Sequence, residues 1–131
     1  PRLDAELLLA HALDLRRLDL YLRYQEPVSA DARARYRELI RQRAEARMPV
    51  ALLLGEKEFW SLNFRITADV LTPRPDTETL VEAALARLPD AERAYRVLDV
   101  GTGSGAIALA LAHEKPRARV TATDLSPQAQ R

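Results

Sequence analysis

The sequence contains no cysteine, and this absence excludes several kinds of site. Without cysteine there is no disulfide, no thiolate metal ligand and no cysteine nucleophile, which agrees with a protein of a reducing compartment. No apolar run approaches the roughly 18 residues of a membrane span. The 20 basic and 19 acidic side chains leave a net charge of +1. The charge balance therefore gives no sign of a nucleic-acid or membrane partner.

Clusters typical of metal and P-loop sites are also missing. His11 and His113 have no partners at metal-ligand spacing, so we predict no metal. No Gly-Lys-Ser/Thr sequence follows the glycines, which excludes a P-loop phosphate site.

Glycine is scarce, with four residues in 131, yet three of the four lie at alternate positions: Gly101, Gly103 and Gly105. The apolar run over 96–100 predicts a buried strand, and the Ala/Leu/Ile run over 106–112 predicts a helix. Glycines between them allow a sharp turn and the close approach of a ligand to bare backbone. The N–H groups at the helix start suit a nucleotide-like or carboxylate-bearing cofactor.

Two carboxylates flank this glycine loop in the sequence. Asp99 lies two residues before Gly101, where it can point from the strand tip towards an ammonium group. Asp124 ends a second predicted strand over 118–123 and lies 19 residues after Gly105. An acid at about that distance binds the ribose hydroxyls in βαβ units. Residues 101–106 also fit the G-x-G-x-x-A form of a nicotinamide or flavin site, so the pattern alone leaves the cofactor open.

Residues 1–54 show helical spacing and predict a small helical bundle. Ser29 is the predicted N-cap of its third helix, which runs to about Arg47. A second helix is predicted over 15–24, and a short apolar turn over 50–54. Six arginines follow the start of the third helix: Arg33, Arg35, Arg37, Arg41, Arg43 and Arg47. They fit either a solvated face with pairs such as Arg41 and Glu45 or a surface that docks an acidic partner or RNA phosphates.

The segment 55–72 predicts a hairpin between two domains. Apolar residues alternate with polar ones from Trp60 to Thr67, which predicts one half-buried strand over 58–67. A turn at 68–69 and a return strand at 70–72 complete the prediction. The next residues, 72–77, form a stiff loop with two prolines, followed by a helix from Asp76 or Thr77. This loop is either a rigid helix entry or a wall of the cofactor pocket, with Arg74 and Pro75 as candidate contacts.

Two parallel strands leave the faces and edges of a sheet uncovered, and a third unit is due to begin at Arg131. We therefore expect the 131 residues to be a fragment, cut within a larger catalytic domain.

The segment Asp99-Val100-Gly101-Thr102-Gly103-Ser104-Gly105 resembles motif I of class I methyltransferases, and Asp124 matches their ribose-binding acid. The hairpin Glu58-Phe59-Trp60-Ser61-Leu62-Asn63-Phe64, followed by the loop Asp69-Val70-Leu71-Thr72-Pro73-Arg74-Pro75-Asp76-Thr77-Glu78, is more specific. It is similar to the protein-glutamine methyltransferases that modify peptide chain release factors.

This resemblance covers essentially the whole chain and implies an α/β fold. It implies a substrate-recognising helical bundle (1–54), a connecting β-hairpin (55–72), and the first βαβ part of a truncated Rossmann-like methyltransferase domain (73–131). The implied cofactor is S-adenosyl-L-methionine. Its implied binding residues are Asp99, Gly101, Thr102, Gly103, Ser104, Gly105 and Asp124, with Arg74 and Pro75 flanking the pocket.

The implied reaction is methylation of the glutamine side-chain amide in the Gly-Gly-Gln motif of class I release factors, in the cytoplasm. The family's Asn-Pro-Pro-Tyr segment, which holds the target amide, lies beyond Arg131. The resemblance thus places no catalytic residue in this sequence, and we expect the 131 residues alone to be inactive. No membrane or direct nucleic-acid partner is expected.

Three other functions remain open at this point. The same cofactor loop serves methyltransferases that act on exocyclic amines of nucleic-acid bases. The glycine pattern also fits an NAD-dependent oxidoreductase. A non-enzymatic reading is a helical interaction domain that carries only the start of a catalytic one.

Overall fold

The computed structural model describes residues 2–130, which form two compact units that divide between Gly55 and Glu56. The first unit is helical. The second contains a β-hairpin followed by helices and parallel strands. This mixed α/β architecture confirms the predicted fold class.

The helical unit contains α1 (Arg2–Ala12), α2 (Asp19–Leu22), α3 (Ala30–Ala44) and α4 (Val50–Leu54). Its buried residues come from α1 and α3: Leu8, Ala10, Ala12 and Ala32. The predicted cap of α3 is confirmed, because the Ser29 hydroxyl accepts a hydrogen bond from the Ala32 amide at 3.2 Å. A side-chain acceptor at this position satisfies one of the amides that have no partner within the helix.

Two local predictions in this unit are wrong. The second helix is a single turn, α2, rather than a helix over 15–24, and the apolar side chains Leu18, Leu22 and Tyr24 around it are exposed. Short helices gain most of their stability from packing, so a turn without buried contacts does not extend. Residues 50–54, predicted as a turn, form α4, which ends where Gly55 adopts φ +74°.

The hairpin of the second unit pairs β1 (Glu56–Phe59) with β2 (Leu62–Arg65) in antiparallel register. Its core consists of Phe59 and Phe64, whose rings meet edge-on with centroids 6.1 Å apart, and of buried Ile66.

The prediction of one strand over 58–67, with its turn at 68–69 and a return strand at 70–72, is wrong. The chain instead turns at Trp60 and Ser61, which have φ values of +54° and +57°. Two-residue hairpin turns commonly need positive φ at both positions, which is why Asn-Gly or Gly-Gly usually marks them. Trp-Ser carries no such signal.

The rest of the second unit begins with a 3₁₀ turn (Pro75–Thr77) and α5 (Glu78–Ala86), followed by β3 (Arg96–Val100), α6 (Ala106–Glu114), β4 (Arg119–Thr123) and a second 3₁₀ turn (Pro127–Gln130). β3 and β4 are parallel, with Asp99 opposite Ala122 and Val100 opposite Thr123. Because α6 carries the chain back between them, both strands end at the same edge of the sheet. Among residues 2–130, no helix is long and apolar enough to cross a membrane.

Candidate cofactor site

The candidate site lies at the carboxyl ends of β3 and β4. Asp99 is the penultimate residue of β3, and Asp124 directly follows β4. Both are half-buried. The glycine loop, residues 101–105, connects β3 to the start of α6 at the same edge. In open α/β sheets, ligands bind outside the carboxyl ends of the strands.

The three glycines of the loop all have left-handed backbone angles, with φ of +77° at Gly101, +56° at Gly103 and +76° at Gly105. Other residue types rarely adopt this conformation. A Cβ atom built at Gly101 or Gly103 would meet no atom within 4 Å, so open space lies beside the backbone there. The loop therefore presents bare main chain to a neighbouring ligand.

Backbone hydrogen bonds attach the loop to the end of β4. The amides of Gly101 and Thr102 both donate to the Thr123 carbonyl oxygen, at 2.8 and 3.0 Å. The Gly105 amide donates to the Thr102 carbonyl oxygen at 2.9 Å, which closes the turn into α6. The parallel register of the strands places these groups within reach of each other.

Two carboxylates hold consecutive residues of the same loop. The Thr102 hydroxyl donates to Oδ2 of Asp99 at 2.7 Å, and the Gly103 amide donates to Oδ2 of Asp124 at 2.8 Å. Sequence reasoning predicted both acids but neither contact. The spacing of Thr102 three residues after Asp99 is one available signal, since short polar side chains often bond within a turn. The Asp124 contact depends on strand pairing and has no local signal.

Asp124 is further fixed by the Ser126 amide, which donates to Oδ1 at 2.9 Å. The amides of Ser126 and Gly103 both favour the charged form and hold the pKa of the Asp124 carboxyl below its usual range. A carboxylate that accepts backbone N–H bonds stays ionised. At neutral pH the site thus contains a fixed negative charge, suited to accept hydrogen bonds from a diol.

The remaining predicted site residues are Arg74, Pro75 and Ser104. Arg74 and Pro75 are exposed at the start of the 3₁₀ turn before α5. Among residues 2–130, no hydrogen bond or ion pair connects either side chain with the glycine loop, and the Arg74 carbonyl oxygen accepts from the Thr77 amide at 3.0 Å. Ser104, by contrast, lies within the loop and is half-buried.

Comparison with known proteins gives matches to both units. Residues 1–55 match the PrmC N-terminal domain, and residues 76–131 match the methyltransferase small domain. The chain is 52% identical over 129 residues to a release factor glutamine methyltransferase of Moorella thermoacetica. It is 54% identical over 124 residues to the protein of the same name from Burkholderia pseudomallei. These alignments cover 98% and 95% of this chain, respectively.

The chain is similar to release factor glutamine methyltransferases over nearly its whole length. The matched helical domain precedes the matched methyltransferase domain, which is the order that the resemblance implied. The resemblance stated from the sequence is therefore confirmed. The chain spans less than half the length of these curated relatives, 45% of the Moorella protein and 43% of the Burkholderia protein.

Proposed function

We propose that this chain supplies the S-adenosylmethionine site of an enzyme that methylates the glutamine side-chain amide of the release factor Gly-Gly-Gln motif. The observation that carries the proposal is the meeting of Asp99, Asp124 and the glycine loop at one edge of the β3–β4 sheet. Similarity to these relatives supports it, because they are named for this activity.

The chemistry of these groups fits such a cofactor. Asp124 would accept hydrogen bonds from the ribose hydroxyls, and Asp99 would offer negative charge near the amino group of the methionine part. Bare backbone at Gly101 and Gly103 leaves room beside the loop. The first amides of α6, which lack partners within the helix, face the same loop end and favour a carboxylate. Thr102, Ser104 and Gly105 would complete the loop contacts, with Arg74 and Pro75 as outer candidates.

The bound cofactor would supply an activated methyl group on a sulfonium. The residues of this chain would bind it and fix its direction, while the glutamine amide, a weak nucleophile, needs to be held in line with the methyl group. Positioning of this kind supplies much of the rate enhancement in two-substrate reactions. We place no catalytic residue in this chain, and we propose a cytoplasmic enzyme whose helical unit contacts the release factor.

Cofactor binding by the 131-residue chain tests the first half of the proposal. We expect calorimetry to detect binding of S-adenosylhomocysteine but not of NAD⁺. Asp124→Asn should weaken binding about tenfold, the scale of a lost bond to a charged group. Asp90→Asn is the matched control, because Asp90 also accepts a backbone amide, that of Glu92 at 2.8 Å, in a different loop. Preference for NAD⁺ would instead support an oxidoreductase.

Methyl transfer tests the second half. A chimera in which this chain replaces the matching part of the Moorella thermoacetica protein should methylate a release factor, and should not methylate DNA or RNA. Transfer to a nucleic-acid base would favour the base methyltransferase, and a folded chimera without any transfer would contradict the proposal.

A further inference from the structure

We infer that Asp124 is a positioning residue for the glycine loop, which it holds through the amide of Gly103. The inference rests on the proposed function in one respect, namely that this loop contacts the cofactor. The contact itself is independent of any ligand. Asp124 therefore holds the loop before any ligand binds.

The hydrogen bonds of the loop show why this contact differs from the others. The amides of Gly101, Thr102 and Gly105 donate to carbonyl oxygens of the main chain. The Gly103 amide donates to a side chain, at 2.8 Å from Oδ2 of Asp124. Of these four amide bonds, only the bond from Gly103 depends on the identity of one side chain.

The orientation of the Asp124 carboxylate is itself determined by its surroundings. Oδ1 accepts from the Ser126 amide at 2.9 Å while Oδ2 faces Gly103. The preceding residue, Thr123, holds Gly101 and Thr102 through its carbonyl oxygen. Residues 123 and 124 together therefore hold three consecutive residues of the loop against the end of β4.

The middle of the loop needs such a restraint. Gly103 has φ +56° and lies between two further left-handed glycines, and glycine has the largest conformational freedom of any residue. A Cβ atom built at Gly103 would meet no atom within 4 Å, so no neighbour restrains the backbone on that side. A charge-assisted bond from the amide to an ionised carboxylate is shorter and stronger than a neutral one, and here it selects one loop conformation before a ligand arrives. Preorganisation of this kind reduces the cost of binding.

Hydrogen exchange of the Gly103 amide in the ligand-free 131-residue chain, measured by NMR, tests the inference. Asp124→Ala should accelerate this exchange about tenfold or more, because the amide loses its acceptor. Asp124→Asn should retain most of the protection, since its side-chain carbonyl oxygen can still accept. Asp90→Ala is the control: it should accelerate exchange at Glu92, whose amide it holds, and leave Gly103 unchanged.

The outcomes separate this inference from the proposed function. Unchanged exchange at Gly103 in folded Asp124→Ala would overturn the positioning role, even if S-adenosylhomocysteine binds. Accelerated exchange would support that role, even if no cofactor binds. Should Asp124→Ala fail to fold, the Gly103 amide of the unaltered chain must show protection from exchange and a downfield proton shift. Asp124→Asn should then keep most of the protection and reduce the downfield shift, because its acceptor is uncharged. An unprotected Gly103 amide in the unaltered chain, or an unchanged shift in Asp124→Asn, would equally overturn the inference.

Discussion

At the scale of single residues, the carboxylate of Glu6 joins three other side chains of the helical unit. Its carboxylate accepts hydrogen bonds from Arg2 at 2.7 Å, Arg17 at 2.7 Å and Tyr21 at 2.8 Å. These bonds, first that from Arg2, lower the pKa of Glu6 from its ordinary value of 4.5 to about 2. Because Arg17 and Tyr21 lie beyond the end of α1, Glu6 connects this helix with the segment around α2.

We expect Arg17→Gln to raise the pKa of Glu6, because it removes the second-largest cause of the shift. The carboxyl carbon chemical shift of Glu6, followed by NMR through an acid titration, measures this directly. Arg23→Gln is the control, since Arg23 pairs with Glu26 at 3.9 Å and does not contact Glu6. Titration of Glu6 near 4.5 in the unaltered chain would contradict the contacts described.

The sign of the stability effect follows from the lowered pKa. A carboxyl with a lower pKa in the folded chain stabilises the fold above its unfolded pKa. The contribution of Glu6 is therefore fully present above about pH 4.5 and is lost as the pH falls towards 2.

At the scale of secondary-structure elements, the turn of the hairpin is fixed by two helices. The Trp60 amide donates to the Glu78 carboxylate in the first turn of α5, at 2.9 Å. The Trp60 indole Nε1 donates to Glu114 at the end of α6, at 2.8 Å. A turn with positive φ at Trp60 and Ser61 is unfavourable for those residue types, and the Glu78 bond compensates part of this cost.

We expect Glu78→Ala to lower the free energy of unfolding of the second unit by about 1 kcal/mol, the value of one part-buried hydrogen bond. Glu78→Gln should lower the free energy of unfolding by less, because the side-chain amide oxygen of Gln can still accept the hydrogen bond. Trp60 is the single tryptophan of the chain, so urea unfolding followed by tryptophan fluorescence reports on this unit. Glu82→Ala, one turn further along α5 at an exposed position, should change the transition little, and an equal loss in both variants would argue against the Glu78 contact.

At the scale of the whole molecule, ion pairs divide the arginines of α3 into two groups. Arg41 bonds to Glu38 at 2.7 Å and to Glu45 at 3.2 Å, while Arg35 and Arg43 pair with Asp14 and Asp4 on other segments. Within residues 2–130, Arg33 and Arg37 form no ion pair and are exposed. They lie one helical turn apart, so their side chains share one flank of α3. A solvated, paired face thus describes three of the six predicted arginines, Arg35, Arg41 and Arg43. Arg47 lies beyond the end of α3, and Arg33 and Arg37 remain as candidates for contact with an acidic partner.

We expect the double substitution of Arg33 and Arg37 by Gln, made in the chimera, to raise the KM for the release factor several-fold at low salt and to leave the KM for the cofactor unchanged. Loss of exposed positive charge weakens the electrostatic steering of an acidic partner towards this surface. Added salt should therefore reduce the difference in KM between the double variant and the unaltered chimera. The double substitution of Arg16 and Arg23 by Gln is a control of equal charge change at exposed positions outside α3. Equal KM values for the double variant and the unaltered chimera would show that this flank is only solvated.

The sequence by itself determined the order of a helical unit, a hairpin and a parallel α/β segment, and it predicted the candidate site residues. Apolar runs and local propensity over 96–123 depend on local backbone geometry, so they predicted a strand, a helix and a second strand correctly. The prediction that the first strand is buried is wrong, because Leu98 and Val100 are 63% and 76% exposed. The Ser29 cap and the glycine loop were predictable for the same reason, since both are requirements of a few neighbouring residues. Two points stay predictions. They are the domain boundaries at residues 54 and 72, and the cofactor-binding roles of Asp99 and Asp124.

The tertiary structure alone decided which groups meet. The register of β3 and β4 brings the Asp124 carboxylate to the Gly103 amide, although 21 residues separate them. Glu78 supports the Trp60–Ser61 turn from a distant position in the sequence, and local propensity at Trp-Ser argued against that turn. Contacts between separated segments depend on strand pairing and helix packing, which no short window of sequence contains.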